Sequence, residues 1–419
     1  MLKHITLAAL ASMAFAQTQD LNATLSGIPE LSNLTSYYIS LPDSLSALSA
    51  ARNITILAPS NNAFEQLLSS PLGAALTNDP DLVQAMLTYH VLNGSYSSSQ
   101  ITEDSQFIPT LLTDPRYTNV TGGQRVEVEK EDGNDVFYSG LRQNLTLGRS
   151  DINFTGGYIH IIDTVLTLPP NVSSTAVATN LTALVGALTN ASLVGAVDTT
   201  PDVTIFAPAN DAFAAIGSVL DGTSSDDLSN LLSYHVVNGT VAYSSDLQGN
   251  QTVTALNGGD LTIRVLDDGD VFVNGARVII PDILVANGVV HVIDKYIPPP
   301  PFLFLSHLHP PPPHILTKLN SVLNPSNSTS GPSDENDDSG DVQYTGATSA
   351  TNVPFTSGVA TATATVGVTG TGGGGGATGT ATGTGGAASA SASGAAAGVG
   401  LSGGLMGVAV GLGGVVLAL

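Results

Sequence analysis

Short apolar stretches with a clear period fill the chain up to Pro298 and fade beyond it. Residues 54–57, ITIL, form a β-rich run that Pro59 stops. Ser60 and Asn61 then offer an N-cap to a helical stretch carrying Phe64, Leu67 and Leu68. Leu82, Val83, Met86, Leu87 and His90 fall at helical spacing, which predicts a helix that ends at Asn93-Gly94. RVEVEKEDGNDVFYSG alternates as two strands around an Asp-Gly turn, and the nearly continuous Ile and Val of residues 158–166 predict a central strand. Helices come early and an antiparallel sheet late, which is an α+β order.

The same elements come round a second time. ITILAPSNNAF at 54–64 recurs as VTIFAPANDAF at 203–213, and MLTYHVLNG at 86–94 as LLSYHVVNG at 231–239. GGYIHIIDTVLTLPP at 156–170 recurs as NGVVHVIDKYIPPP at 287–300. The offset is 149 residues between Thr55 and Thr204, 145 between Tyr89 and Tyr234, and 131 between His160 and His291. It shrinks because the first copy carries extra residues around FIPTLLTDPRYTNVTGG. Solenoid units run about 20 to 50 residues, so a repeat of this length is a whole domain. Two homologous domains are expected, at 20–168 and 172–298, and Leu228, Leu231, Leu232 and His235 repeat the helical stripe in the second.

Three boxes in the same order, twice, resemble the fasciclin domain, called FAS1. TIFAPANDAF resembles the family's first box, YHVV followed by glycine its middle marker, and NGVVHVIDKYIPPP its last, so the resemblance covers 20–298. It implies a wedge of β-sheet with helices packed along one side, on proteins that work outside cells in adhesion and in matrix or cell-wall organisation. Tandem FAS1 domains with a low-complexity stalk and a lipid-anchored tail look like those of fungal and plant surface proteins. This chain departs in one slot: Asn93 and Asn238 stand where the family often has proline after Tyr-His-Val-Val. Each opens an N-x-S/T sequon, and a sugar on either would cover the edge of the motif.

Composition guides the reading outside the domains. Residues 1–16 carry Lys3, an apolar run and Ala-Phe-Ala, as a secretory signal does. Residues 299–394 are Pro-rich and then Ser/Thr/Gly/Ala-rich, a composition that reads as a disordered stalk without a core. Small residues including Ser391, Ser393 and Gly394, followed by the apolar tail 395–419, match a GPI attachment signal. A membrane span is the alternative, although the last basic residue is Lys318 and no basic flank marks a cytoplasmic side. Further sequons lie at Asn22, Asn33, Asn53, Asn119, Asn144, Asn153, Asn171, Asn180, Asn190, Asn250 and Asn327, a density that fits a heavily glycosylated secreted chain. With 34 acidic and 11 basic residues the formal charge is −23, which repels a phosphate backbone and excludes nucleic acid as a partner. There is no cysteine, which removes disulfides and thiol chemistry.

Reactive chemistry has few residues to draw on. His4 belongs to the signal and His307, His309 and His314 to the linker, which leaves His90, His160, His235 and His291, all inside repeated boxes. A hydrolase would pair His160 with Asp163, or His291 with Asp294, but positions i and i+3 on a strand face opposite sides, and no G-x-S-x-G elbow is present. A metal site built from His90, His160 and a carboxylate has no recognised ligand spacing. A histidine beside Tyr89 or Tyr234 reads instead as a hydrogen-bonded core residue. The acidic turns EKEDGND and LDDGD read as solvated hairpin tips rather than calcium loops.

The expectation is a protein without catalytic residues, metal or cofactor. Its expected work is adhesion or wall organisation, and its expected partners are surface, matrix or wall proteins and glycans, a second copy included, with a lipid anchor to the membrane. The alternatives are a binding module for a small apolar or glycan ligand, marked by an apolar cleft between sheet and helices, and an extracellular hydrolase.

Overall fold

The computed structural model describes residues 19–297, Ala350 and residues 352–360. The signal segment 1–16, the linker histidines, Asn327, the attachment candidates Ser391, Ser393 and Gly394, and the tail 395–419 lie outside the described residues.

The first domain starts with helices α1 (Leu21–Ser26), α2 (Ser32–Ser40) and α3 (Pro42–Ala50). Strand β1 (Ile54–Pro59) follows, then α4 (Asn61–Ser69), α5 (Pro71–Asn78) and α6 (Pro80–Tyr89). Ser60 caps α4 as its side chain predicts, and proline opens α3, α5 and α6, where a missing N–H costs nothing. Strands β2 (Val91–Asn93), β3 (Gln106–Pro109), β4 (Arg125–Glu131), β5 (Asn134–Tyr138), β6 (Asn144–Phe154) and β7 (Gly157–Ile162) complete it.

The second domain repeats the plan with α7 (Val172–Ala178), α8 (Thr182–Asn190), α9 (Val194–Thr199), β8 (Val203–Pro208), α10 (Asn210–Ala215), α11 (Gly217–Leu220) and α12 (Ser225–Ser233). Its later strands are β9 (Val236–Asn238), β10 (Gln251–Thr254), β11 (Asp260–Val265), β12 (Val271–Val273), β13 (Ala276–Val285) and β14 (Gly288–Ile293).

Each domain holds one seven-stranded sheet, in the order β2-β1-β7-β6-β5-β4-β3 and its counterpart β9-β8-β14-β13-β12-β11-β10. Strand β1 lies parallel to β7, with Ile54 opposite Gly157 and Pro59 opposite Ile162. β8 and β14 pair the same way. Ile54, Ile56, Ala58, Ile159 and Ile161 pack against Leu21, Leu25, Leu34 and Tyr38 of the first helices. Leu57 and Ile162 face the other way, toward Val126, Val128, Phe137 and Leu82. Burial on both faces is why these strands read as continuous apolar runs rather than alternating ones. Gly157 and Gly288 open the last strands because a Cβ at either would stand 1.9 Å from the carbonyl oxygen of Ile54 or Val203.

The α+β class and the two fasciclin-type domains agree with the pattern in the chain, and three local expectations do not. The sheet is mixed rather than antiparallel, because the early strand crosses to the late one. The last strand of the first domain stops at Ile162, short of 166, and its counterpart stops at Ile293. Helix α6 ends at Tyr89 instead of Asn93-Gly94: the His90 ring turns back onto the carbonyl of Met86, and Val91 pairs with Ile56 at once. Within the stretch 299–394, Ala350 and residues 352–360 lie against the second domain, with Val353 and Phe355 on its apolar cluster.

The extra residues of the first copy join the domains. The Asn119 amide donates to Ala286 O at 2.8 Å, Thr121 donates backbone N–H and hydroxyl to the Asp202 carboxylate at 2.7 and 2.6 Å, and buried Gln124 Nε2 donates to Val285 O at 3.0 Å. Phe107 stacks on Tyr243 with ring centres 4.2 Å apart. Arg142 bridges buried Glu127 at 3.1 Å and Pro281 O of the other domain at 3.0 Å. Burial pushes the Glu127 carboxyl up to about 8 against the pull of Arg142, so Arg142→Met should destabilise the chain in denaturant unfolding most strongly above pH 8, where the carboxyl would ionise without its cation. The double variant with Glu127→Gln should recover most of that loss.

Candidate functional site: the duplicated Tyr-His motif

Both nitrogens of His90 are engaged by the backbone. Nδ1 lies 2.7 Å from Met86 O, and Nε2 accepts the Leu166 amide at 2.9 Å. An amide can only donate, so Nε2 is bare and the proton sits on Nδ1. His235 repeats the wiring with Leu231 O at 2.9 Å and the Ile297 amide at 3.0 Å. Each ring fastens the end of the long helix to the chain leaving the last strand. Burial holds both histidines neutral, with pKa lowered from 6.5 to about 4.

His160 and His291 carry the opposite tautomer. Nδ1 of His160 accepts the Asp151 amide at 3.1 Å and Nε2 donates to Tyr96 O at 2.8 Å. His291 takes the Asp282 amide at 3.2 Å and donates to Ala242 O at 2.9 Å. Asp151 and Asp282 sit in the left-handed region at φ 59°, where β6 and β13 slip register. Their carboxylates accept the backbone amides of Ser98 and Ser244, each at 2.9 Å.

Serine, aspartate and histidine therefore meet in each domain, wired against catalysis. The histidine's acceptor nitrogen takes the aspartate's amide, with the Asp282 carboxylate farther off at 4.0 Å from His291 Nδ1, and its donor nitrogen is spent on a carbonyl, so neither nitrogen stands open to take a serine proton. Asp163 and Asp294 stand apart from these histidines. Asp163 is exposed, and Asp294 receives the Arg277 amide at 2.7 Å. Among the described residues no three of His, Cys, Asp and Glu gather closely enough to hold a metal ion.

The other polar residues of the boxes do the same work. Tyr89 donates to Arg125 O at 3.0 Å and Tyr234 to Asp260 O at 2.6 Å, tying helix to sheet, and burial raises the pKa of both phenols. Thr55 and Thr204 each donate to the carbonyl of a glycine or threonine after the marker, Gly94 or Thr240, and accept the amide of Tyr96 or Ala242, all at 2.8 Å. Asn61 and Asn210 hold the start of α2 and α8 through the amides of Asn33 and Ala183, at 2.9 and 3.0 Å. Sequence reasoning passed over Asp151 and Asp282, although DINFTGGYIH and DILVANGVVH keep the same spacing from aspartate to histidine.

The outer surface is differently furnished. Asn22, Asn53, Asn93, Asn144, Asn153, Asn180, Asn190, Asn238 and Asn250 are exposed, and Asn33, Asn119 and Asn171 are half-buried. Asn93 and Asn238 end the short strands β2 and β9 that follow the motif.

A pair of mixed-sheet α+β domains, each closed by two backbone-bonded histidines, is the class this arrangement defines. The sequence profile of the fasciclin domain matches residues 29–169 and 179–299, and the chain belongs to that family. It is 36% identical over 301 residues to a fasciclin-like arabinogalactan protein of Arthroderma benhamiae, covering 71% of this chain and 70% of that one. It is 32% identical to the fasciclin-like arabinogalactan protein elcF of Phaeosphaeria nodorum, covering 67% of this chain and 89% of that one. A third relative, from Cercospora beticola, is 32% identical over 58% of this chain and 66% of its own.

The buried histidines make stability depend on acid. A folded pKa near 4 against 6.5 unfolded leaves their contribution intact above pH 6.5 and removes it as pH falls toward 4, by about 3 kcal/mol per histidine. Denaturant unfolding of the wild type should weaken steeply over that window. A His90→Gln, His235→Gln variant should start lower at pH 7 and fall less. His235→Ala alone should cost about 3 kcal/mol at pH 7, from the cavity and the orphaned Ile297 amide.

Proposed function

We propose that this chain is an extracellular cell-surface glycoprotein that acts in adhesion or cell-wall organisation through its tandem fasciclin domains. The observation that carries the reading is that the polar residues repeated in both domains are spent on the backbone, while sequon asparagines stand out on the surface. Such a protein works through its outer faces, and its partners are wall or matrix proteins and glycans or another copy of itself. The fungal relatives are called arabinogalactan proteins, which supports a glycan-rich outer surface for this chain too.

Among the described residues no helix is long and apolar enough to cross a membrane. Attachment through a GPI anchor near Ser391, Ser393 or Gly394 is part of the proposal. Cells displaying the full chain should aggregate, and phosphatidylinositol-specific phospholipase should release the protein and disperse them. Aggregation that persists after complete release would count against adhesion by this chain.

A further inference from the structure

Ala350 and residues 352–360 meet a groove of the second domain formed by α8, α10 and α11. Phe355 packs edge-on to Phe213, with ring centres 6.4 Å apart at 85°. Phe213 meets Tyr296 edge-on at 5.8 Å, and Tyr296 lies 4.4 Å from His235, so the docked ring continues an aromatic line to the Tyr-His motif. Val353 packs on the same cluster, and the Ala350 amide donates to Ala214 O at 2.9 Å.

The groove is floored with glycine where the segment comes closest. Gly186 sits in the middle of α8, where glycine costs about 0.5–1 kcal/mol relative to alanine. A Cβ there would stand 1.8 Å from the carbonyl oxygen of Phe355, and one at Gly217 would stand 2.3 Å from the Ala350 Cβ. Both glycines leave room for a passing chain.

The first domain lacks this equipment. The positions matching Gly186 and Gly217 are Ser36 and Leu68, by the shared Asn61/Asn210 bonds and the first box. Tyr37 stands where the second domain has Ala187 and lays its own ring on Phe64 at 5.3 Å. Phe355 thus supplies to the second domain a ring that the first takes from its own helix. Phe355 also holds φ at 63°, a left-handed conformation that costs a side-chain-bearing residue about 1–2 kcal/mol and persists only where the surroundings impose it.

We propose that this groove is a peptide-docking site for a segment of small residues carrying Val-Pro-Phe, and that its resident ligand is the chain's own stretch at 350–360, bound in cis. Because site and segment belong to one chain, docking is intramolecular and does not depend on protein concentration. A foreign peptide of the same chemistry gains entry when this strap leaves.

Hydrogen–deuterium exchange on the full secreted chain tests the proposal. The amides at 350–360 should be protected in the wild type at every protein concentration, with a monomeric mass. Gly186→Ala should abolish that protection while β8 and β14 stay protected. Phe355→Ala should do the same, again with β8 and β14 still protected. A synthetic peptide of residues 348–361 should bind the Phe355→Ala chain and be excluded from the wild type. Wild-type exchange at 350–360 as fast as in an unfolded peptide, unchanged protection in Gly186→Ala, or protection that grows with concentration alongside a dimeric mass would each overturn it.

Discussion

In each domain the first strand must lie parallel to the last, with nearly the whole domain between them in sequence. Closing so long a loop costs entropy that the backbone pairing alone does not obviously repay, because net hydrogen bonds are worth only about 1 kcal/mol each. The return comes from burying β1 and β7, or β8 and β14, on both faces at once. Sheet and helices can then form only together, and the chain around the central pair needs fixed exits. His90 and His235 provide one exit, joining the helix end to the chain that leaves the last strand. His160 and His291 provide another, holding the bulge of the neighbouring strand to the loop after the marker.

This division of labour explains why a chain so poor in histidine repeats the same four. A buried imidazole can donate from one nitrogen and accept at the other, which lets it bridge a carbonyl and an amide that no strand or helix satisfies. Threonine, asparagine and aspartate of the boxes meet the same need elsewhere. An assembly of that kind spends its repeated polar groups inside and leaves the outer faces uncommitted to the fold.

Much of this was legible in the residues themselves. The Asp132-Gly133 hairpin, the Ser60 cap and the twofold repetition follow from local chemistry and appear as expected. The parallel pairing was not legible, because continuous apolar runs identify a doubly buried strand without naming its neighbour. Asn93-Gly94 carries a C-cap signal that places the helix end too late, because tertiary pairing of Val91 with Ile56 makes the residues after Tyr89 a strand. The serine–aspartate–histidine clusters were hidden by backbone bonds, which leave little trace in side-chain identity. The docked stretch around Phe355 escaped because its composition carries no core of its own. Its partner surface depends on Gly186 and Gly217, more than 130 residues earlier.

The central claim is that the repeated histidines are backbone fasteners in two opposite tautomers. Long-range proton–nitrogen NMR correlation of the imidazole rings tests it most directly. At pH 7 the account predicts protonation at Nδ1 for His90 and His235 and at Nε2 for His160 and His291. It further predicts that the first pair stays neutral down to about pH 5. An Nε2 proton on His90 or His235, or titration of either near 6.5, would contradict it.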